Sequence, residues 1–370
     1  MSSPIPASVS QTVDNLIESS TGLLSIDSVI ESFLSLKPMF DLKPINPHSN
    51  ITFNKKYTHI FGFESLFESH EFVNRLGEWM RDNWHTSFLY SLIYVLFIFL
   101  GQTFMRSRER YELRLPLILW NLALAVFSVT GAIRVWPEFL YAVREKGIVY
   151  SVCDNSYAYG ITGFWVYMFI MSKVPELVDT IFIVFRKQKL IFLHWYHHAT
   201  VLIYCWYSYS DFSATGRWFM TMNYFVHGLM YSYYACKAMR LPVPLFISKI
   251  ITTSQIVQMI LGCYVNWIAY ETKMYQPETQ CNISYQNIYS SFVMYLSYFA
   301  LFFNFFLNVY VFASAKAKSS GRLSPSLTPA KAGSESAGNG KANGKQSGRE
   351  LESLCKSVHD SSSKKAKKIN

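Results

Sequence analysis

Seven long apolar stretches follow one another through the middle of the chain, each separated from the next by a short polar segment. They cover about 86–105, 116–136, 161–185, 191–209, 217–236, 246–270 and 287–312. Each approaches the ~20 residues that a helix needs to cross a hydrocarbon core about 30 Å thick. The pattern predicts an all-α polytopic membrane protein with seven transmembrane helices. Ahead of the first span, Leu66, Phe67, Phe72, Leu76, Trp79 and Met80 recur at helical spacing, which predicts an interfacial amphipathic helix over 64–84. The flanks lack such periodicity. Residues 1–63 are Ser-rich, and 316–370 are rich in Ser, Gly, Lys and Ala. Both are expected to be largely disordered extensions of a membrane domain at 64–315. The first 60 residues contain no basic-then-apolar leader, so the first span has to serve as the insertion signal.

Lys and Arg distribution orients the spans. The segments after spans one, three and five hold Arg106, Arg108, Arg110 and Arg114; Arg186, Lys187 and Lys189; then Lys237 and Arg240. Those after spans two, four and six hold Arg144 and Lys146; at most Arg217; then Lys273. The positive-inside rule places the odd segments in the cytosol, the N-terminus in the lumen and the C-terminus in the cytosol. Two sequons, at Asn50 and Asn282, then fall in the lumen as candidate glycosylation sites. Lys367 and Lys368 stand fourth and third from the carboxyl end. Their placement is similar to a dilysine retrieval signal, which implies the endoplasmic reticulum membrane.

Composition adds two exclusions. The net charge of +10 is concentrated in the tail from Lys316, which has 12 Lys+Arg against 4 Asp+Glu and so carries +8. Only +2 remains for the rest, and nucleic acid is not an expected partner. The six cysteines show no CxxC spacing, against a zinc or redox framework.

Polar residues within the spans point to chemistry. Span three carries Lys173, Glu176, Asp179 and Thr180. Span four carries His194, His197 and His198, which fall on one helical face at i, i+3 and i+4. Span five carries Asn223, His227 and Tyr231, and span six Gln255 and Gln258. At about 1.5 Å rise per residue, Asp179 lies roughly 9 Å inside the cytosolic end, the span-four histidines roughly 5–10 Å, His227 roughly 13 Å and the glutamines roughly 13–18 Å. Four helices thus carry polar groups at similar depth, where ionisable side chains are costly. Simpler roles remain open for some: Gln255 and Gln258 as helix-packing contacts, Lys173 and Glu176 as a self-neutralising i,i+3 pair.

Two chemistries suit the histidines. Of nine in the chain, His48, His59, His70, His85 and His359 lie outside the spans. Four are too few for an all-histidine di-iron site, although a single zinc stays arithmetically possible. The alternative is nucleophilic catalysis by a neutral imidazole, with no metal and no cofactor. A seven-span transporter or receptor without catalysis is the rival class, but it has no need of four polar motifs at one depth.

Lys173-Val-Pro-Glu176-Leu-Val-Asp179-Thr180, His194-Trp-Tyr-His197-His198, Asn223-Tyr-Phe-Val-His227-Gly-Leu-Met230-Tyr231 and Gln255-Ile-Val-Gln258 together resemble the ELO family of 3-ketoacyl-CoA synthases. The run from Arg186 to His198 further resembles its branch acting on saturated and monounsaturated chains. The resemblance implies condensation of an acyl-CoA with malonyl-CoA in a helical bundle enclosing an acyl-chain tunnel. It implies His197 as nucleophile with His227 facing it. Donor roles fall to His194, His198, Asn223 and Tyr231, and imidazole-orienting roles to Asp179 and Glu176. It also implies substrate contacts from Lys173, Thr180, Gln255 and Gln258, and phosphate contacts from Arg186, Lys187, Lys189 and Lys249. Implied partners are membrane lipid, the two CoA substrates, the other enzymes of the elongation cycle and a second copy in a homodimer. The charge-derived topology puts Cys153 and Cys281 alone in luminal loops, where oxidising conditions favour a disulfide closing the tunnel floor.

Overall fold

The computed structural model describes Tyr57 and residues 59–312, and among these every regular element is helical. A short helix α1 (Gly62–Ser65) leads through a 3-10 turn into α2 (His70–Asn83), whose first turn is capped by the Ser69 side chain. There follow α3 (Thr86–Met105), α4 (Arg114–Arg144), α5 (Ile148–Cys153), α6 (Gly160–Ser172) and α7 (Val178–Phe185). The chain continues with α8 (Phe192–Ser210), α9 (Gly216–Ala238), α10 (Leu245–Tyr275) and α11 (Tyr285–Phe306), the last extended by a π-helical turn to Phe312.

Among the described residues four helices are long and apolar enough to cross a membrane: α3, α4, α10 and α11 with its extension. Only 22% of the most apolar stretch of α3, and 17% of that of α11, is buried in the protein. Leu96, Phe99, Leu100, Val126, Ile133 and Val293 stand exposed. Apolar surfaces of this extent, on helices that satisfy their own backbone bonds, belong in lipid. The protein is a multi-pass membrane protein. The other three expected spans are helical but do not meet that criterion. The third is broken into α6 and α7, while α8 and α9 are diluted by histidines and other polar groups.

Pro175 accounts for the break. It has no N–H to give and its ring clashes with the preceding turn. Lys173 N and Val174 N therefore bond three residues back, to Ile170 O and Met171 O, and a 3-10 turn (Pro175–Leu177) joins the two helices. A tightened turn of this kind inside a helical run often marks a functional position, and here Lys173 and Glu176 sit on it.

The core is aromatic. Trp165, Phe169, Trp206 and Tyr224 are buried together with Val73, Leu76 and Met80 of α2. The amphipathic segment expected at the interface thus turns its apolar face onto protein, with Trp79 on Trp206 at 6.2 Å between ring centroids. The packed region begins ahead of Glu64, since Tyr57 Oη donates to Arg134 O. Glu64 itself is buried. Burial alone would raise its pKa, but hydrogen bonds from Arg134 Nε (2.8 Å) and Trp165 Nε1 (2.8 Å) outweigh this and hold the carboxyl below its ordinary value.

Small residues let helices approach closely, as is usual in membranes. A Cβ at Gly131 would lie 2.4 Å from the Tyr224 ring, and one at Gly262 would lie 2.4 Å from Tyr295. These contacts seat α4 on α9 and α10 on α11.

Loop contacts sort the helix ends by parity. At one end Tyr111 N donates to Phe185 O, Arg114 Nε to Ala238 O and Lys187 Nζ to Arg106 O. At the other, Asn282 N donates to Cys153 O, Ala214 N to Asn282 O and Ser284 Oγ to Asp211. The Cys153 and Cys281 sulfurs are bonded there, with Cα atoms 4.3 Å apart.

Candidate active site

The break at Pro175 turns four polar side chains inward. Lys173, only 2% exposed, donates from Nζ to Glu176 Oε1 at 2.7 Å and reaches Asn223 Oδ1 of α9 at 3.5 Å. Its ammonium also sits 4.0 Å from the Phe169 ring centroid. Ser172 Oγ donates to the same Glu176 oxygen. Glu176 Oε2 is buried with no hydrogen-bond partner among the described residues, and Lys173 and His227 are its electrostatic neighbours. A buried acceptor left open in this way calls for a donor that arrives with a ligand or a proton.

One turn on, Asp179 accepts from Trp120 Nε1 at 2.6 Å and from Tyr231 Oη at 2.8 Å. Tyr231 in turn packs its ring edge-on to His227, 5.5 Å between centroids. Thr180 Oγ1 lies 2.9 Å from His194 Nε2 and 2.7 Å from Tyr94 Oη.

The three histidines of α8 form a contiguous group, His194 tilted against His198 and His197 edge-on to it. His194 and His198 are 4.4 Å apart between centroids, and His197 and His198 5.6 Å. His197 is half-buried and rests against Tyr298 of α11 at 4.8 Å. His227 and Lys173 lie within electrostatic reach of both His197 and His198. The motifs of α6–α7, α8 and α9 therefore build one cluster. Among the described residues no three His, Cys, Asp or Glu side chains converge as a metal site.

Two sequence expectations are altered. Neither Asp179 nor Glu176 hydrogen-bonds a histidine. Asp179 reaches instead to Trp120 of α4 and Tyr231 of α9, and Glu176 folds back onto Ser172 and Lys173 at the end of α6. The imidazole that is held from behind is His194, and a hydroxyl holds it. The span-six glutamines stand apart from the cluster: Gln255 Nε2 contacts Met230 Sδ at 3.5 Å, and the buried Gln258 bonds none of the other predicted site residues.

Arg186, half-buried, and the exposed Lys187 and Lys189 share the α7–α8 turn, with Lys187 in a left-handed conformation. Lys249 is exposed on α10, beside Tyr310. Asn282 is half-exposed in the loop next to the disulfide. Asn50, Lys367 and Lys368 lie outside the described residues.

Sequence patterns passed over Tyr94 and Trp120. Each is one of two polar aromatics in a strongly apolar run, beside Tyr90 and Trp136 respectively, and interfacial placement is the ordinary expectation. Also passed over was a buried knot at the opposite end. Arg217, wholly buried, reaches Glu138 Oε1 from Nε at 3.1 Å, Ser151 O and Asp154 O from Nη1 at 2.9 and 2.8 Å, and Asp154 Oδ1 from Nη2 at 3.3 Å.

Residues 79–318 match the model of the ELO: GNS1/SUR4 family. The chain belongs to the ELO family. Among its ELO relatives, very long chain fatty acid elongase 6 of Gallus gallus is 52% identical over 243 residues, covering 65% of this chain and 89% of that protein. The elongase 6 of Drosophila melanogaster is 50% identical over 255 residues, 68% of this chain and 79% of its own. The more distant elongase 3 of Mus musculus is 40% identical over 228 residues, 61% and 83% respectively. The matched ELO region contains every residue of the histidine cluster.

Proposed function

We propose that this ELO protein is a very-long-chain 3-oxoacyl-CoA synthase, condensing a long saturated or monounsaturated acyl-CoA with malonyl-CoA. The observation that carries it is the convergence of the α6–α7, α8 and α9 motifs on one buried histidine cluster, in a chain about half identical to named elongases. His197 attacks the acyl thioester through a ring nitrogen. The C–S bond breaks, CoA leaves as the thiol, and the acyl group stays on the imidazole. Malonyl-CoA then loses carbon dioxide, and the enolate carbon attacks the acyl carbon. The C–N bond breaks, freeing His197 and 3-ketoacyl-CoA two carbons longer.

Charge develops on the thioester oxygen and on the enolate, so donors fixed in advance lower both barriers. Tyr231, anchored by Asp179, and Lys173, anchored by Glu176, are such groups; His194, His198 and Asn223 complete the set. His227 faces His197, with the open Glu176 oxygen available to a proton on its ring. CoA phosphates meet Arg186, Lys187 and Lys189, with Lys249 as a further cation.

In this account seven helices cross the endoplasmic reticulum membrane and enclose an acyl tunnel running towards the lumen. The segment 1–63 is luminal and the tail 316–370 cytosolic, with Lys367 and Lys368 as retrieval signal and Asn50 and Asn282 open to glycosylation. The disulfide closes the luminal end. Other elongation-cycle enzymes and a second copy of the chain are the proposed protein partners.

Chain-length preference tests the reading. A C16 chain is roughly 20 Å long, about what a 30 Å core leaves beyond a site near one face. Purified protein given malonyl-CoA and acyl-CoAs from C12 to C20 should elongate the 12- to 16-carbon saturated chains fastest. A strong preference for C20 polyunsaturated chains would count against it. Each step uses protein groups alone, so dialysis against a strong chelator should leave turnover intact; loss of activity restored by iron or zinc would require a different mechanism.

A further inference from the structure

His194 is the one histidine of the cluster with a described hydrogen bond to a ring nitrogen, and that bond continues into α3. Thr180 Oγ1 stands between Tyr94 Oη at 2.7 Å and His194 Nε2 at 2.9 Å. Tyr94 is 4% exposed and Thr180 fully buried, so neither hydroxyl faces bulk solvent. Among the described hydrogen bonds Tyr94 Oη has Thr180 alone.

These facts give the chain a direction. A buried phenol with one partner donates to it, because otherwise its own hydrogen is left unpaired. Thr180 Oγ1 then accepts from Tyr94, and its single hydrogen is left for His194. A hydroxyl that donates to Nε2 requires that nitrogen to be bare, so a neutral His194 carries its proton on Nδ1. We propose that Tyr94 is a positioning residue for the condensation: through Thr180 it fixes the tautomer and ring angle of His194, and so the donor that the group of His194, His198 and His197 presents to the reacting oxygen.

Packing supports a hydroxyl role rather than a mere space-filling one. The Tyr94 ring lies in a small cluster with Ile98 and Ala199, where a phenylalanine ring would fit equally well. Its ring also stands 6.5 Å from His198. Without the phenol hydrogen, Thr180 can donate or accept, and His194 is free to take either tautomer.

The inference rests on the elongase reading, and two measurements keep the fates of the two apart. In the condensation assay, Tyr94→Phe should lower kcat roughly 3- to 10-fold, the worth of one ordinary hydrogen bond, with KM within about twofold. Thr180→Val should lose at least as much, Thr180→Ser should restore most of it, and adding Tyr94→Phe to Thr180→Val should cost nothing more, because the two hydroxyls act as one unit. Independent structural roles would add instead, and additive losses or an unaffected Tyr94→Phe would overturn the proposal.

The second measurement needs no turnover. Nitrogen-15 spectra of histidine-labelled protein, assigned with His194→Gln, should show His194 protonated at Nδ1 in the native chain and a mixture in Tyr94→Phe. A native His194 protonated at Nε2, or a tautomer indifferent to Tyr94→Phe, would refute the relay even if elongation were seen. The expected spectra without elongation would leave the relay standing and sink the elongase reading alone.

Discussion

His197→Ala protein incubated with acyl-CoA should release no CoA and carry no acyl group, and its elongation rate should fall by at least about 10³-fold. No other side chain in the cluster combines the needed properties. His194 is engaged at Nε2 by Thr180, and His198 is buried behind the other two rings of its helix. His197 is half-buried against Tyr298 and within electrostatic reach of His227, and none of the described hydrogen bonds occupies its ring nitrogens. Ala199, Thr200 and Val201 follow, so no cysteine or serine adjoins the motif as an alternative nucleophile. Native protein should give a burst of one CoA per site with acyl-CoA alone, and mass spectrometry should find the acyl adduct. An adduct retained by His197→Ala would move the nucleophile to another residue, His227 first.

A second large effect concerns stability at the far end of the bundle. Arg217→Ala should destabilise the protein by about 3–5 kcal/mol, as the loss of one partner does for a buried ion pair. Two carboxylates depend on this guanidinium: Glu138, 7% exposed, and Asp154, together with the carbonyls of Ser151 and Asp154. The fork of N–H groups spans α4, the α5 turn and α9 at once, which a point-like ammonium cannot do. Arg217→Lys should therefore recover only part of the loss. Thermal unfolding in detergent should fall by on the order of 10 °C for Arg217→Ala. Adding Glu138→Gln should return some of it by removing an uncompensated charge. Unchanged unfolding would mean that the knot contributes nothing to the fold.

The helices were largely legible in the sequence because a membrane imposes its own ruler. The first apolar run, Thr86–Met105, coincides with α3, and the runs from 191 and 217 begin within one residue of α8 and α9. The polar motifs were legible too, since an ionisable group in an apolar run stands out by cost alone. Loop parity brought Cys153 and Cys281 to the same end of the bundle, where their sulfurs are joined.

What escaped is what periodicity does not encode. Pro175 was visible, yet its effect, pairing Glu176 with Lys173 and Ser172 and Asp179 with Trp120 and Tyr231 rather than hydrogen-bonding either to a histidine, depends on three-dimensional direction. Trp120 and Tyr94 are ordinary aromatics until the helix opposite supplies Asp179 or Thr180. Arg217 counts in the sequence as a loop charge. Only the fold shows it sealed among Glu138, Asp154 and the backbone carbonyls of Ser151 and Asp154.

The central claim is carbon–carbon bond formation by the histidine cluster, and the carboxylate carbon of malonyl-CoA reports on it directly. Purified protein given palmitoyl-CoA and malonyl-CoA labelled at that carbon should release one labelled carbon dioxide and one free CoA for each C18 3-ketoacyl-CoA formed, with no carbon dioxide when the acyl-CoA is omitted. Absence of the ketoacyl product, or decarboxylation that proceeds equally without acyl-CoA, would contradict it.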